Sequence, residues 1–282
     1  MRIWTHVAGD GYRWHYRHFL PKPRPKARVV CLHGIQSHGG WYEASCRRLR
    51  DEGCDVFFLD RRGSGLNPEA RGDTPSFRRL LDDVGEFLQT LRGPGSPPLF
   101  AAAISWGGKL GAGIDYRFPA LIDGLALLAP GFCPLVRLSR IQRVAIAMTA
   151  LTSPNQFFPI PLDDPALFTA SPQWQKFISS DPLALRTATA RFLFQSARFD
   201  WFLKRAVRRV RVPVLLQLAG KDQIIHNAQT RRFLGRFGSR YVRIFEYPEA
   251  EHTLEFEPPP QTHLDDLCAW IDTTSHFLTW RR

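Results

Sequence analysis

One serine stands where an apolar segment of the chain gives way to small residues. The segment Leu99–Ile104 runs directly into Ser105, and Gly107 and Gly108 follow at the start of a helical pattern. A serine at a sharp turn between a strand and a helix is strained and exposed, and the residues two positions to either side must be small. Those neighbours are Ala103 and Gly107, so alanine replaces the first glycine of the G-x-S-x-G pattern. The segment predicts a serine nucleophile; a serine that only caps the helix is the alternative.

The sequence also offers a base for this serine and a carboxylate to orient the base. Serine is a poor nucleophile unless a base removes its proton and a third group holds that base. Asp222 follows the apolar run 214–219, and His252 follows the run 242–247. Loops after parallel strands gather at one edge of a sheet, and the chain order serine, aspartate, histidine is typical of one hydrolase architecture. We therefore expect Ser105, Asp222 and His252 to meet.

Other titratable residues offer alternatives for these roles. Asp123 and Asp200 are possible carboxylates, but neither directly follows a predicted strand as the preferred aspartate does. His226 is an alternative to His252, although its position favours capping of the helix that follows. Lys221 is interpreted as surface charge.

A further strand end provides hydrogen-bond donors for a developing negative charge. The apolar run 29–32 ends in a turn that can present the Ile35 N–H, and the Trp106 N–H lies at the start of the helix after the candidate nucleophile. Two such donors stabilise the oxyanion of an acyl-transfer transition state. His33 is expected to order this turn rather than to act as a base.

Five short segments match the motifs of one enzyme superfamily. They are residues 33–38, 60–65, 104–108, 220–222 and 251–254. With these motifs, in this order, the chain resembles an α/β-hydrolase, and within that superfamily it is similar to the monoacylglycerol lipase and lysophospholipase group. The resemblance implies an α/β-hydrolase fold: a mostly parallel central sheet with helices on both faces and a helical cap insertion.

The resemblance also implies an activity, the cleavage of carboxylic esters of hydrophobic acyl groups by a serine esterase through an acyl-enzyme. Ser105 would be the nucleophile, His252 the base and Asp222 its partner. The N–H groups of Ile35 and Trp106 would form the oxyanion hole, and neither a cofactor nor a metal ion is required. A peptidase or amidase, an acyltransferase of the same superfamily, and a hydrolase-like binding protein without turnover are the alternatives.

The elements that must position these residues can be predicted from hydrophobic periodicity. Short apolar runs lie at residues 29–32, 56–59, 99–104, 125–129, 214–218 and 242–245. Helical spacing of apolar residues lies at residues 42–52, 76–91, 106–116 and 227–237. Apolar runs without alternation, separated by helices, are typical of a parallel sheet that is covered on both faces. The sequence therefore predicts an α/β fold.

One connection is much longer than a crossover helix requires. About 80 residues, rich in Phe, Trp and Pro, separate the run ending near residue 129 from the run starting near residue 214. We predict a core formed by residues 1–130 and 211–282, and a cap or lid insertion formed by residues 131–210. An apolar cap over the site would suit a hydrophobic acyl group; a satellite helical subdomain with its own small core is the alternative.

Composition excludes several other classes of protein. The 282 residues carry 38 Lys and Arg against 26 Asp and Glu, a formal charge of +12, but the arginines are scattered and no nucleic-acid module accompanies them. Five cysteines without C-x-x-C spacing argue against a disulfide framework or a zinc site. Pro68 stands where a dinucleotide-binding pattern after Gly63 and Gly65 would need a third glycine. We expect no nucleic-acid partner.

The remaining expectations concern location and partners. The first 20 residues lack the apolar stretch of a signal peptide, and no segment has about 18 consecutive apolar residues, so a cytoplasmic protein is expected. The expected partner is a small-molecule ester with an apolar acyl group. The basic segment 205–211 suggests, as a further option, transient contact with a membrane or lipid surface; the oligomeric state is left open.

Overall fold

The computed structural model describes residues 1–21 and 23–281, which fold around a central sheet. The strands are β1 (Arg2–Val7), β2 (Arg13–Phe19), β3 (Ala27–Leu32), β4 (Cys54–Leu59), β5 (Leu99–Ile104), β6 (Gly124–Leu128), β7 (Phe157–Pro159), β8 (Thr187–Thr189), β9 (Val214–Ala219) and β10 (Val242–Tyr247). The α-helices are α1 (Glu43–Asp51), α2 (Phe77–Thr90), α3 (Gly107–Arg117), α4 (Arg140–Thr152), α5 (Pro172–Ser180), α6 (Ala190–Ala206), α7 (Asn227–Leu234) and α8 (Thr262–Arg281). Short 3-10 helices span Gly39–Tyr42, Pro165–Leu167, Val207–Arg209 and Leu254–Phe256.

Six parallel strands form the main part of the sheet. Its eight strands follow the order β1-β2-β4-β3-β5-β6-β9-β10. The neighbouring strands β4, β3, β5, β6, β9 and β10 are all parallel, whereas β2 is antiparallel to both β1 and β4. Strands β7 and β8 form a separate antiparallel pair. Each apolar run identified in the sequence overlaps one of the six parallel strands, which confirms the predicted α/β class.

Both faces of the sheet are covered, and this explains the unbroken apolar runs. Along β3, Val30 and Leu32 join the apolar cluster that includes residues of α2, α3 and α6. Val29 and Cys31 point to the opposite cluster, which includes residues of α1 and α8. A strand with an apolar layer on each side has no solvent-facing position, so its sequence does not alternate.

Helix α2 shows how local signals and burial agree. The Ser76 hydroxyl accepts a hydrogen bond from the Arg79 N–H at 3.1 Å, which confirms the predicted N-cap. Such a cap typically contributes about 1 kcal/mol. Leu80, Leu81 and Leu88 recur at helical spacing and are buried against the sheet. The helix therefore forms where its cap and its apolar face both require it.

Three elements at the ends of the chain are absent from the sequence prediction. Strand β1 is exposed along almost its whole length, so its residues carry no burial pattern, and β2 is recognisable only as its neighbour. Helix α8 has 20 residues and begins after three consecutive prolines, at Thr262.

In the part of the chain that the structure describes, no helix combines the length and apolar character needed to cross a bilayer.

The insertion between β6 and β9 joins both apolar clusters. It contains α4, α5, α6 and the small β7/β8 sheet. Phe192 and Phe199 of α6 belong to the cluster over α2 and α3, while Phe168 and Ile178 belong to the opposite cluster. The insertion therefore packs on the core rather than forming a separate apolar unit of its own, and the division at residues 131–210 stays a prediction.

Candidate active site

Ser105 lies at a strained turn between β5 and α3. Its φ is +49°, in the left-handed region that only glycine adopts freely. Holding another residue there costs on the order of 1–3 kcal/mol. A Cβ atom at Gly107 would lie 2.5 Å from the Leu32 carbonyl oxygen, so the turn has no room for a larger residue. Ala103 is fully buried where α3 approaches β5 at Gly111. The small neighbours predicted for this serine therefore have a steric cause.

The side chains of Ser105, His252 and Asp222 form a continuous hydrogen-bonded chain. His252 Nε2 lies 3.0 Å from Ser105 Oγ, and His252 Nδ1 lies 2.8 Å from Asp222 Oδ2. Because the carboxylate accepts a hydrogen bond from Nδ1–H, Nε2 is the nitrogen free to accept the serine proton. The carboxylate is fully buried, and its other oxygen accepts hydrogen bonds from the Ile224 and Ile225 N–H groups, each at 2.8 Å. The acid is thus fixed from both sides.

Backbone contacts connect the loops that carry the acid and the base. The Lys221 N–H donates to the Ala250 carbonyl oxygen at 2.9 Å, which joins the turn after β9 to the turn after β10. The Thr253 N–H donates to the Phe168 carbonyl oxygen at 3.0 Å, and the Phe168 ring meets the His252 ring edge-on with centroids 6.0 Å apart. The histidine is therefore positioned partly by the sheet and partly by the insertion.

The turn after β3 lies against the serine, as its sequence predicts. A Cβ atom at Gly34 would lie 3.3 Å from Ser105 Cβ. Within residues 1–21 and 23–281, neither the Ile35 N–H nor the Trp106 N–H has a hydrogen-bond acceptor. Two unpaired backbone donors near one hydroxyl are the arrangement required to bind a negatively charged oxygen.

His33 orders this turn. Its Nε2 accepts a hydrogen bond from the Arg61 N–H at 2.9 Å, and its Nδ1 lies 2.7 Å from the Gly34 carbonyl oxygen. Burial and the nearby Arg61 hold the pKa of His33 well below its usual value, so the ring is neutral. Since Nε2 accepts, Nδ1 carries the proton and donates it to Gly34.

A largely apolar pocket opens around the serine and the histidine. Its lining includes Ile104, Leu162 and Phe168, the last two from the insertion. Gln36 also lines it and is 1 % exposed, yet its side-chain nitrogen and oxygen have no hydrogen-bond partner among the described residues. An unpaired buried amide costs about 1–3 kcal/mol. Its hydrogen-bonding capacity is therefore not used by the described residues.

The alternative residues lie in other interactions. Asp123 pairs with Arg92 at 2.8 Å, and Asp200 pairs with Lys109 at 2.6 Å. His226 occupies the N-cap position of α7, but its side chain makes no capping hydrogen bond. His226 thus stands at the start of this helix, as its position in the sequence predicts, and its backbone carbonyl accepts a hydrogen bond from the Thr230 N–H at 2.9 Å.

Neither Lys221 nor a cluster of metal-binding residue types adds to the site. Lys221 is about half exposed and pairs with Glu249 at 2.6 Å, as a surface charge does. Across the described ranges, no three His, Cys, Asp or Glu side chains gather where they could hold a metal ion.

Glu255 is a buried carboxyl group that sequence reasoning missed. It lies three residues after His252 and is 7 % exposed. It accepts a hydrogen bond from the Ser45 N–H at 3.1 Å and another from the Ser45 hydroxyl, at the start of α1. Burial raises its pKa to about 7. The contact joins residues 210 positions apart, so no local signal announces it.

Comparisons with known proteins agree with this fold. The sequence profile of a family described as "Serine aminopeptidase, S33" matches residues 23–259. A putative monoglyceride lipase of Schizosaccharomyces pombe is 24 % identical over 271 residues, covering 89 % of this chain and 68 % of the relative. The monoglyceride lipase of Mus musculus is 23 % identical over 270 residues, covering 94 % of this chain and 88 % of the relative. A solved structure of a soluble variant of the Saccharomyces cerevisiae monoglyceride lipase, in complex with a substrate analog, has 20 % identity and a TM-score of 0.83, with 96 % of this chain and 94 % of that chain covered.

Proposed function

We propose that this chain, which belongs to the family described as serine aminopeptidase, S33, cleaves monoesters of hydrophobic acyl groups by way of an acyl-enzyme. It is a monoacylglycerol lipase-like carboxylic ester hydrolase of the α/β-hydrolase superfamily. Ser105 is the nucleophile, His252 the general base and Asp222 its partner. The observation that carries the proposal is the unbroken hydrogen-bonded chain from the buried carboxylate through the imidazole to the strained serine.

In the first half-reaction Ser105 Oγ attacks the ester carbonyl carbon. His252 Nε2 takes the hydroxyl proton as the new C–O bond forms, and Asp222 stabilises the resulting imidazolium without itself becoming protonated. The tetrahedral intermediate collapses when His252 gives that proton to the leaving alcohol oxygen. The products of this step are the free alcohol and an ester between the acyl group and Ser105.

In the second half-reaction the acyl group passes to water. His252 removes a proton from water while the water oxygen attacks the acyl carbonyl carbon. The second tetrahedral intermediate collapses with cleavage of the bond to Ser105 Oγ, which recovers its proton from His252. The carboxylic acid leaves and the resting hydrogen-bonded chain is restored.

The negative oxygen of both intermediates is bound by the Ile35 and Trp106 N–H groups. Their lack of other acceptors supports this role, because a donor committed elsewhere would have to break a bond first. Loss of one donor from such a site typically costs about 2.7–4 kcal/mol of transition-state stabilisation. These donors therefore account for a large part of the proposed rate acceleration.

The pocket supports a substrate with an apolar acyl group and a hydroxyl-bearing alcohol. Leu162 and Phe168 offer apolar contact to the acyl chain, worth roughly 0.8 kcal/mol for each buried methylene. The apolar acyl chain cannot form hydrogen bonds with the unpaired amide of Gln36, but the hydroxyl groups of a glyceryl leaving group can. Monoacylglycerol, the substrate named for the relatives, combines these two halves.

The insertion, residues 131–210, acts in this proposal as the cap. Two of the apolar residues in the pocket come from it, and its Phe168 touches the loop of the base. Closing such a cap over the acyl chain excludes water from the reacting ester, which strengthens the electrostatic contacts within the site. The core in this scheme is residues 1–130 and 211–282.

The pocket favours ester substrates over peptides with a free amino terminus. An aminopeptidase needs negative charge to bind the ammonium group of its substrate, since a buried cation must be paired. Among the described residues that line the pocket there is no Asp or Glu side chain. The nearby Asp181 already binds His38 at 2.9 Å and the Trp41 indole N–H at 2.6 Å.

The test uses p-nitrophenyl esters of several chain lengths with wild-type protein and the Ser105→Ala variant. We expect the variant to lose turnover of all the esters and to lose labelling by a fluorophosphonate probe. Ser239→Ala, at a partly exposed serine outside the pocket lining, is the matched control and should behave as wild type. Equal turnover by Ser105→Ala and wild type would refute the proposal, whereas labelled but slow wild-type protein would point to a different ester.

A further inference from the structure

We propose that Arg61 is a positioning residue for the oxyanion hole, and that its buried positive charge is balanced by the negative oxygen formed in the transition state. This inference rests on the proposed function. Arg61 is 7 % exposed, and within the described chain no carboxylate lies in salt-bridge distance of it. Its neighbour Asp60 pairs instead with Arg17 at 3.0 Å. A buried cation without a counter-ion is costly and needs a reason.

The guanidinium holds the peptide group that presents the first oxyanion donor. Arg61 Nη1 donates to the Gly34 carbonyl oxygen at 3.1 Å, and Nη2 donates to the Ile35 carbonyl oxygen at 3.0 Å. The Gly34 carbonyl and the Ile35 N–H are two ends of one peptide group. A charged donor on the carbonyl fixes the plane of that group and polarises its N–H, because hydrogen bonds in a chain strengthen one another. The Ile35 N–H thereby becomes a better donor to an oxyanion.

The backbone of the same residue controls a second donor to that carbonyl. The Arg61 N–H binds His33 Nε2, which leaves the proton on Nδ1, and Nδ1–H donates to the same Gly34 oxygen. Residue 61 therefore supplies one donor to this peptide group through its side chain and fixes the other through its backbone.

Arg61 also packs against the residue that presents the other oxyanion donor. Its guanidinium carbon lies 4.7 Å from the centroid of the Trp106 ring and 5.3 Å from that of Phe192. The pocket lining does not include Arg61, so it acts from behind both donors rather than by touching substrate. One side chain thus contacts both residues whose N–H groups face the proposed oxyanion.

The next residue in the chain provides a natural comparison. Arg62 is equally buried, but its guanidinium binds Asp83 and Asp10 at 2.8 Å and has its charge neutralised. Burial lowers the pKa of Arg61 to about 9, so at pH 7 it still carries its charge. Of these two adjacent buried arginines, only Arg62 has a carboxylate that neutralises its charge.

The experiment compares Arg61→Met, Arg61→Lys and the control Arg62→Met on one p-nitrophenyl ester. For each protein it measures kcat, KM and thermal unfolding, together with the affinities for a trifluoromethyl ketone and the matching methyl ketone. Only the first ketone readily forms an oxyanion adduct with the serine. We expect Arg61→Met to lower kcat by 10- to 100-fold with KM within twofold, less than the 100- to 1,000-fold loss typical of deleting a whole donor. The preference of Arg61→Met for the trifluoromethyl ketone over the methyl ketone should fall by the same factor. Arg61→Lys should give intermediate values. Arg62→Met should change stability, but should change neither kcat nor the ketone preference by more than threefold.

Two results overturn the inference. One is a folded Arg61→Met with wild-type kcat and ketone preference, and the other is a loss of the same size in Arg62→Met. If Arg61→Met does not fold, Arg61→Lys decides: an unchanged ketone preference rejects the role, and a reduced preference at unchanged KM supports it. Ser105→Ala is assayed beside these variants, so activity that survives in it rejects the proposed function, whereas full activity in Arg61→Met alone rejects only this inference.

Discussion

The Phe168 carbonyl oxygen accepts a hydrogen bond from the Thr253 N–H at 3.0 Å, directly beyond the proposed base. The insertion therefore contributes to the position of His252 as well as to the wall of the pocket. Phe168→Ala keeps the backbone bond and removes the buried ring. Truncating a buried Phe typically costs 3–5 kcal/mol, so we expect a lower unfolding free energy and a larger loss of kcat/KM for long acyl esters than for acetate. Chemical denaturation measures the unfolding free energy, and a series of esters of increasing acyl length measures kcat/KM. An equal loss of kcat/KM for every ester would show that Phe168 does not contact the acyl chain.

Asp222→Asn tests how the histidine is oriented. The Ile224 and Ile225 N–H groups would hold the amide oxygen, so the amide nitrogen would face His252 Nδ1 and donate to it. This disfavours the tautomer in which His252 Nε2 accepts from serine, and a neutral amide cannot stabilise the imidazolium as a carboxylate does. We expect kcat to fall by about 10⁴-fold with little change in fold, as in the Ser-His-Asp template. Asp123→Asn is the matched control, because Asp123 lies at the start of a different strand and pairs with Arg92. A wild-type kcat in Asp222→Asn would remove the carboxylate from the mechanism.

Gln36→Leu tests recognition of the leaving alcohol. Removing the amide should remove a hydrogen bond to a glyceryl group, worth about 1 kcal/mol, and leave a methyl ester unaffected. We therefore expect the ratio of kcat/KM for a monoacylglycerol over the methyl ester of the same acid to fall by about fivefold or more. The ratio cancels any general damage to the site. An unchanged ratio would show that Gln36 does not bind the leaving alcohol.

Gly107→Ala tests the steric basis of the turn that carries the proposed nucleophile. The added Cβ would lie 2.5 Å from the Leu32 carbonyl oxygen and 2.6 Å from that of His33, and neither backbone group can move without shifting β3. We expect a loss of about 1–3 kcal/mol in unfolding free energy together with much slower fluorophosphonate labelling. Gly235→Ala is the control, since its Cβ would approach nothing closer than 3.4 Å. Normal labelling in Gly107→Ala would mean that the turn tolerates a side chain.

Glu255 makes stability depend on pH. Its pKa rises from 4.5 when unfolded to about 7 when folded, mainly because burial disfavours the charged carboxylate. Between these two values the folded state binds more protons, so this group's contribution to stability falls as pH rises and is lost above pH 7. A shift of this size corresponds to about 3 kcal/mol. Relative to Glu255→Gln, the wild-type unfolding free energy should therefore fall by about that amount between pH 5 and pH 8. Glu249→Gln, at an exposed position, should show the same dependence of unfolding free energy on pH as wild type. If Glu255→Gln also showed that dependence, the raised pKa of Glu255 would be contradicted.

The sequence was informative wherever one residue's surroundings are set by its near neighbours. The strand before Ser105, the glycine two positions later and the cap at Ser76 could all be predicted, because burial on both faces and tight turns leave local patterns. The exposed strand β1 leaves no such pattern. Contacts across long separations are equally hidden: Arg61 reaches Gly34 across 27 positions, and Glu255 reaches Ser45 across 210.

The most direct test of the account is to trap the acyl-enzyme. Wild-type protein is mixed with excess p-nitrophenyl decanoate, quenched in acid within the first turnover and examined by intact and peptide mass spectrometry. The account predicts a mass increase of one decanoyl group, located on the peptide that contains Ser105 and absent from Ser105→Ala. Turnover without this adduct, or an adduct on another residue that persists in Ser105→Ala, would contradict it.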